Sequence, residues 1–295
     1  MRLRPFNNQI LKKVNNFVLR TLSGVIFVAV FVGAILYSQL TFCILFCIIT
    51  ILGANEFYTL VNTRPDVQTN RAVGTVAATY LFISFAAYNT GVTPASVFIP
   101  YLLMVIYLLI SELYLCADNP MNNWAYAFAG QLYVALPFAL LNIIAFRYDP
   151  TVNFSVFEPV FPLAIFIFLW VSDSGAYCVG SLLSKRFPAK LFERISPKKS
   201  WVGSIGGCAL VIVAAVIIGY CYPATLSTLE WIGFGLVVCI FGTWGDLVES
   251  LIKRQLGLKD SGRFLPGHGG VLDRFDSALI AIPAVVIYLY ALESF

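Results

Sequence analysis

Apolar residues run along this chain in long continuous blocks, broken by short polar ones. A helix needs about 20 mostly apolar residues to cross a bilayer. Windows of that size fall at 18–36, 40–61, 73–89, 95–117, 124–146, 159–183, 202–221, 229–252 and 275–293. The blocks are continuous rather than alternating in ten-residue pieces, which predicts helices and excludes a barrel. The expected fold is an all-α integral membrane protein, a polytopic bundle of about nine transmembrane helices. The third window is the shortest. The first follows a basic start, but eight more come after it and no small-x-small site clearly ends it, so it reads as a retained anchor.

Composition agrees with that pattern. The chain is 59% hydrophobic and 12% charged, where a soluble domain carries roughly 25% charge. Cys43, Cys47, Cys116, Cys178, Cys208, Cys221 and Cys239 lie in or beside apolar blocks, and none forms a Cys-x-x-Cys pair. They read as small buried hydrophobes, with no disulfide framework and no cysteine-bound zinc.

The basic residues orient the bundle. With a cytoplasmic N-terminus and alternating sides, 18 of the 19 Lys and Arg fall on the cytoplasmic side, and only Arg147 falls outside. The positive-inside rule rarely separates the sides so cleanly. The net charge of +4 then reads as topology signal and attraction to anionic lipid heads. No motif points to nucleic acid, and membrane lipid is the expected partner.

Chemistry is unevenly spread. Residues 1–158 carry few charges inside the spans, Glu56 and Glu112 being exceptions, and read as N-terminal scaffold spans. Residues 159–295 carry nearly all the candidate chemistry, within one continuous membrane domain. The densest stretch, Gly245 to Ser277, holds five acids, five bases and the only histidine between two membrane-length runs. Charge this dense beside lipid is costly unless it serves a function.

Within it, Asp246, Glu249, Ser250 and Lys253 step by three and four along one helix face. A polar helix end with an internal Glu249–Lys253 pair gives the same pattern, but Asp246 lies deeper than a solvated end requires. Asp273 and Asp276 open the ninth span after a Gly-rich turn. There they suit helix capping, metal binding, or both at once. Together with Asp246 they form a hard-oxygen set suited to magnesium, which binds through one or two carboxylates plus substrate phosphate.

Before the seventh span, Ser196-Pro-Lys198-Lys199-Ser200 offers charge and a helix start to phosphate. A juxtamembrane basic loop would look the same, and the Walker A order is absent. Asp173 sits in an apolar helix and needs a partner or a water-filled cavity. His268 either shapes its turn or meets a phosphate. Asp173, Asp246, Asp273 and Asp276 all map to one membrane face, beside the bases. This placement predicts a pocket where a water-soluble polyanion meets a lipid.

The run from Ser250 to Asp276 reads Ser-x-x-Lys-Arg-x4-Lys-Asp-x-Gly-x-x-Leu-Pro-x-His-Gly-Gly-x-x-Asp-Arg-x-Asp. It resembles, without departure, the signature of the phosphatidate cytidylyltransferase (CDP-diacylglycerol synthase) family. The Ser-Pro-Lys-Lys-Ser and Asp173-x-x-Ala-Tyr segments also look like family elements, so the resemblance covers mainly residues 170–277. It implies transfer of CMP from CTP to phosphatidate, giving CDP-diacylglycerol and pyrophosphate, with magnesium as cofactor. It further implies a multi-pass inner-membrane enzyme of phospholipid biosynthesis whose active site faces the cytoplasm. A homodimer, and a second metal or monovalent cation, are left open.

Under that resemblance Asp246, Asp273, Asp276 and Lys259 are the expected catalytic residues. Asp246 and Asp273 ligate the metal with Asp276 in support. Lys198, Lys199, Lys253, Arg254, Lys259 and Arg274 neutralise triphosphate or headgroup. Asp173 lines the pocket, and Ser200 and His268 contact phosphate. A CDP-alcohol phosphotransferase is disfavoured, because Leu247 rather than Gly follows Asp246. A CTP-dependent lipid kinase would release CDP instead of pyrophosphate. An ion-coupled transporter would want its acids near the midplane of related repeats, and no repeat is evident.

The charge count yields a topology test. Reporter fusions within 222–228 are expected to report the non-cytoplasmic side. A cytoplasmic signal there would overturn the nine-span alternation.

Overall fold

The computed structural model describes residues 6–115, 117–149, 151, 153–258, 261–262 and 269–292, with side chains from residue 21 onward. Cys116, Lys259 and His268 lie outside them.

The described residues form α1 (Phe6–Tyr37), α2 (Gln39–Val61), α3 (Arg71–Asn89), α4 (Ile99–Leu115), α5 (Pro120–Gly130), α6 (Leu136–Ala145), α7 (Val160–Leu183), α8 (Trp201–Cys221), α9 (Thr228–Gln255) and α10 (Leu272–Ala291). A 3₁₀ turn at Ala95–Phe98 leads into α4, and a π turn at Gln131–Ala135 joins α5 to α6. Counted as continuous spans, eight of these helices are long and apolar enough to cross a membrane, and the apolar part of α1, Thr21–Tyr37, is shorter. The protein is an all-α polytopic membrane protein. Two short hairpins were not legible in the hydropathy: β1 (Phe146–Asp149) pairs antiparallel with β2 (Phe154–Phe157), and β3 (Lys190–Phe192) with β4 (Ser196–Ser200).

Local chemistry sets where the helices begin. Ser38 caps α2 and Ser227 caps α9 through reciprocal capping boxes with Thr41 and Glu230. Asn70, Asn119 and Ser200 cap α3, α5 and α8. Each cap satisfies backbone N–H groups that have no intrahelical acceptor. The π turn has a cause in Pro137, which offers no N–H to the carbonyl four residues back and crowds it. Gln131 lies in that turn and donates at 2.8 Å both to the Tyr58 hydroxyl and to the Gly74 carbonyl, tying α2, α3 and the α5–α6 span together.

An aromatic centre holds the bundle. Phe31 meets Phe166 edge-on with ring centroids 4.7 Å apart, and Phe275 packs against Phe138 at 5.7 Å and Phe166 at 6.0 Å. These contacts join α1, α6, α7 and α10. Polar contacts then gather one set of helix ends. Lys199 on β4 pairs with Asp246 on α9, Lys253 on α9 with Asp273 on α10, and Glu56 on α2 accepts from the start of α10. The loop after α2 belongs to the same end, where the Gln68 N–H donates to Asn123 of α5 at 2.7 Å. In that loop the Arg64 guanidinium donates to Asp66 and holds its carboxyl below the usual carboxylate range.

Helices α7 and α8 approach closely because glycine faces the contact. A Cβ added at Gly207 would lie 2.6 Å from the Ser172 carbonyl oxygen. Overpacking of this kind costs about 1–3 kcal/mol. Gly207→Ala is therefore expected to lower the thermal unfolding midpoint in detergent. Gly33→Ala on α1, where nothing lies within 4 Å, is the matched control and should not lower it, since alanine is the better helix former by about 1 kcal/mol.

Candidate active site

Helices α7, α8, α9 and α10 and the β3–β4 hairpin enclose two cavities at the gathered end. The first, of about 440 Å³, is lined by Asp173, Asp246, Asp273 and Asp276 with Arg274 and Trp170, and closed by Ser23, Gly24, Phe27 and Val28 of α1. The second, of about 360 Å³, is lined by Lys190, Lys198 and Lys199, by the hydroxyls of Ser172, Ser181, Ser184, Ser200, Ser204 and Thr243, and by Asp173 and Tyr177. Asp173 belongs to both walls. The Lys199 ammonium, 2.6 Å from Asp246 Oδ2, joins the lysine wall to the acid wall.

The acids reach this place by local design. The step from Asp246 to Glu249, Ser250 and Lys253 keeps all four on one face of α9, and Ser250 Oγ donates back to Asp246 Oδ1 at 3.1 Å. A Cβ at Gly245 would lie 2.6 Å from the Asp276 carbonyl oxygen, so the absence of a side chain there lets α9 and α10 bring Asp246 and Asp276 to one cavity.

Asp273 works harder than a simple cavity wall. Its Oδ2 accepts from the N–H of Gly270 at 2.9 Å and of Ser261 at 3.0 Å, and its Oδ1 from Lys253 at 2.7 Å. Asp273 is not the N-cap, with Asp276 in the first turn, that the sequence suggests: α10 begins at Leu272 with Val271 at the cap position, and Asp273 reaches back to Gly270 from the first turn. That reach coexists with a place on the cavity wall. Gly269, with φ +85°, supplies the left-handed turn just before it.

The predicted bases divide by what they touch. Lys253 is nearly buried between Glu249 Oε2 at 2.5 Å and Asp273 Oδ1 at 2.7 Å, so its charge is matched inside the protein. Arg254 is exposed and turns to the Leu258 carbonyl at 3.4 Å, at the C-terminal end of α9. The structure does not bring Arg254 to either cavity wall. Ser200 is buried, and its hydroxyl accepts from the Gly203 N–H at 3.2 Å as the cap of α8. Lys198 is exposed on the lysine wall, and Arg274 is exposed on the acid wall.

Sequence reasoning missed Lys190 as a wall residue, and it missed Glu249 and Glu56 as site partners. Lys190 reaches the wall because β3 pairs with β4, a register no hydropathy signal reveals. The i,i+4 spacing of Glu249 and Lys253 predicts their internal pair, but not that Lys253 also bridges to Asp273.

Among the described residues no three His, Cys, Asp or Glu side chains converge tightly enough to ligate one ion by themselves. The donor chemistry nevertheless fits magnesium, which takes one or two carboxylates and completes its shell with water and phosphate. A carboxylate has about four lone-pair sites. Asp273 already meets three described donors, Asp246 two, and Asp276 only the Ser277 N–H. Remaining capacity is thus greatest at Asp276 and Asp246.

Removing one partner from a buried pair strands the other charge, at about 3–5 kcal/mol. Lys253→Met is expected to destabilise the protein on that scale in detergent unfolding. Lys253→Met with Glu249→Gln should recover part of the loss. Equal stability of Lys253→Met and the unaltered protein would remove the ion-pair account.

Comparison with known proteins bears on the family. A phosphatidate cytidylyltransferase of Staphylococcus haemolyticus is 29% identical over 271 residues, covering 92% of this chain and 98% of the relative. A Staphylococcus aureus phosphatidate cytidylyltransferase is 43% identical over 129 residues, 43% of this chain and 48% of the relative. One from Bacillus subtilis is 44% identical over 128 residues, 43% of this chain and 46% of the relative. The chain thus spans about half the length of the relatives with the higher identity, and nearly all of the Staphylococcus haemolyticus one. The sequence profile of the cytidylyltransferase family matches residues 18–292, which take in α2 to α10 and both cavities, and the chain belongs to that family.

Proposed function

We propose that this protein transfers CMP from CTP to phosphatidate, releasing pyrophosphate and leaving CDP-diacylglycerol in the membrane for phospholipid biosynthesis. The observation that carries the reading is the meeting of an acid-lined and a lysine-lined cavity at Asp173 and the Lys199–Asp246 pair, within a membrane bundle. The names of the relatives support the same substrates.

The lipid brings its own nucleophile. An oxygen of the phosphatidate phosphate attacks the α-phosphorus of CTP, the bond from that phosphorus to the bridging oxygen breaks, and the electron pair leaves with pyrophosphate. Such chemistry needs positioning and charge neutralisation more than covalent help. Lys190, Lys198 and Lys199 supply positive charge on one wall, and Arg274 on the other. Lys259 and His268, outside the described residues, are proposed as further phosphate contacts. Asp246 and Asp276 would hold magnesium with Asp273 in support, an order that follows their remaining lone pairs. When bound, the ion supplies Lewis acidity and charge to the phosphates. The positive-inside distribution supports a cytoplasm-facing site in the inner membrane.

Purified protein in detergent with phosphatidate, magnesium and CTP labelled on the α-phosphate is expected to move label into lipid and release pyrophosphate. Asp246→Asn and Asp276→Asn should each lower kcat by about a hundredfold to a thousandfold, as loss of one electrostatic group does elsewhere. Label entering lipid only from γ-labelled CTP would instead make the protein a lipid kinase. No label in lipid from a folded protein would overturn the proposal.

A further inference from the structure

We propose that Glu56, on α2 in the N-terminal half, is a positioning residue for the acid wall, clamping Ser261 and the Val271–Leu272 backbone together at the start of α10. For turnover this inference rests on the function proposed above; for the clamp itself it does not.

Helix α10 begins without a cap of its own: Val271 at the cap position offers no side-chain hydrogen bond. The cap comes from another helix. Glu56 Oε2 accepts from the Val271 N–H at 2.8 Å and Oε1 from the Leu272 N–H at 3.1 Å. Glu56 Oε1 also accepts from the Ser261 hydroxyl. The same Ser261 gives its N–H to Asp273 Oδ2 at 3.0 Å, and its hydroxyl accepts from the Asp273 N–H at 3.3 Å. Glu56 therefore holds the residue that holds Asp273, and Asp273 in turn holds Lys253.

A second observation is independent of these bonds. Gly262 and Gly270 both face the Glu56 carboxylate. A Cβ at Gly262 would lie 2.9 Å from Glu56 Oε2, and one at Gly270 would run into Glu56 and Ser261. Neither glycine has the positive φ that would by itself demand glycine. The space they leave is the space Glu56 occupies. Glu56 lines neither cavity, so it acts through Ser261 and the α10 backbone rather than on substrate.

The chemistry dictates the variant. Glu56→Gln keeps size and shape but turns one acceptor into an N–H₂ donor facing backbone and hydroxyl donors. With Asp273 displaced, the reacting groups lose alignment, for which about a hundredfold in kcat is the scale. The expected result is Glu56→Gln with kcat down about a hundredfold while KM for CTP stays within about threefold. A cap that serves stability alone would lower the unfolding midpoint and leave kcat per folded molecule unchanged.

A double-mutant cycle guards against a variant that does not fold. Gly262→Ala should lower both kcat and the unfolding midpoint in the otherwise unaltered protein. In the Glu56→Ala background it should change kcat by less than about twofold and leave the midpoint in place, because the carboxylate it strikes is gone; the next atom is the Gly270 Cα at 3.3 Å. The clamp is overturned if Gly262→Ala costs as much without Glu56 as with it. The positioning role is overturned if folded Glu56→Gln turns over within about twofold of the unaltered protein. Should the unaltered protein transfer no label, the proposed function fails, and the unfolding midpoints of the cycle still decide the clamp.

Discussion

The start of α10 is the constraint on which the site depends. The N–H groups of Gly270, Val271, Leu272 and Asp273 have no intrahelical acceptor, and near lipid an unsatisfied N–H is expensive. Three side chains meet all four: Asp273 takes Gly270, Glu56 takes Val271 and Leu272, and Ser261 takes Asp273. The Arg274 N–H then turns to the Val271 carbonyl at 3.0 Å. Because Asp273 holds the Ser261 and Gly270 N–H groups and also lines the cavity, its carboxylate cannot move without exposing both donors.

Charge balance is the second constraint, and it engages two of the predicted bases in ion pairs. Four carboxylates around one cavity repel one another strongly at low dielectric. Lys199 and Lys253 offset that repulsion from opposite sides, one at Asp246 and one between Glu249 and Asp273. Lys198 and Lys190 carry no described ion pair and stay on the lysine wall. Lys199 stands in both groups, paired with Asp246 and lining the lysine wall. A divalent ion beside Asp276, which has no described lysine ion pair, would add positive charge where the lysines supply least.

The span pattern was legible because membrane composition is a coarse signal: the window 202–221 became Trp201–Cys221, and 159–183 became Val160–Leu183. The acid wall was legible for the same reason, since Asp173, Asp246, Asp273 and Asp276 stand out against apolar neighbours and meet at one cavity. What could not be read was direction. Arg254 and Lys253 are adjacent in sequence, yet one is exposed at a helix end and the other nearly buried between two acids. Ser200 caps α8 as well as lining the lysine cavity, a double placement that its sequence neighbours do not reveal. Glu56 registered only as an acid near a span end, because its partners lie 205 to 216 residues away in sequence.

The contribution of the first half follows from the solvent. Lipid tails are as apolar as leucine, so helices in a bilayer gain no hydrophobic drive to associate, and small residues and polar contacts decide which surfaces touch. Here Gly207 sets α7 against α8, Gly245 sets α9 against α10, and the Glu56 carboxylate sets α2 against the α10 start. Helix α1 adds Phe31 to the aromatic centre and Phe27 to the acid wall. The division at residue 158 marks where the titratable chemistry begins. It does not mark the edge of the site, because the C-terminal helices draw one wall from α1 and one helix cap from α2.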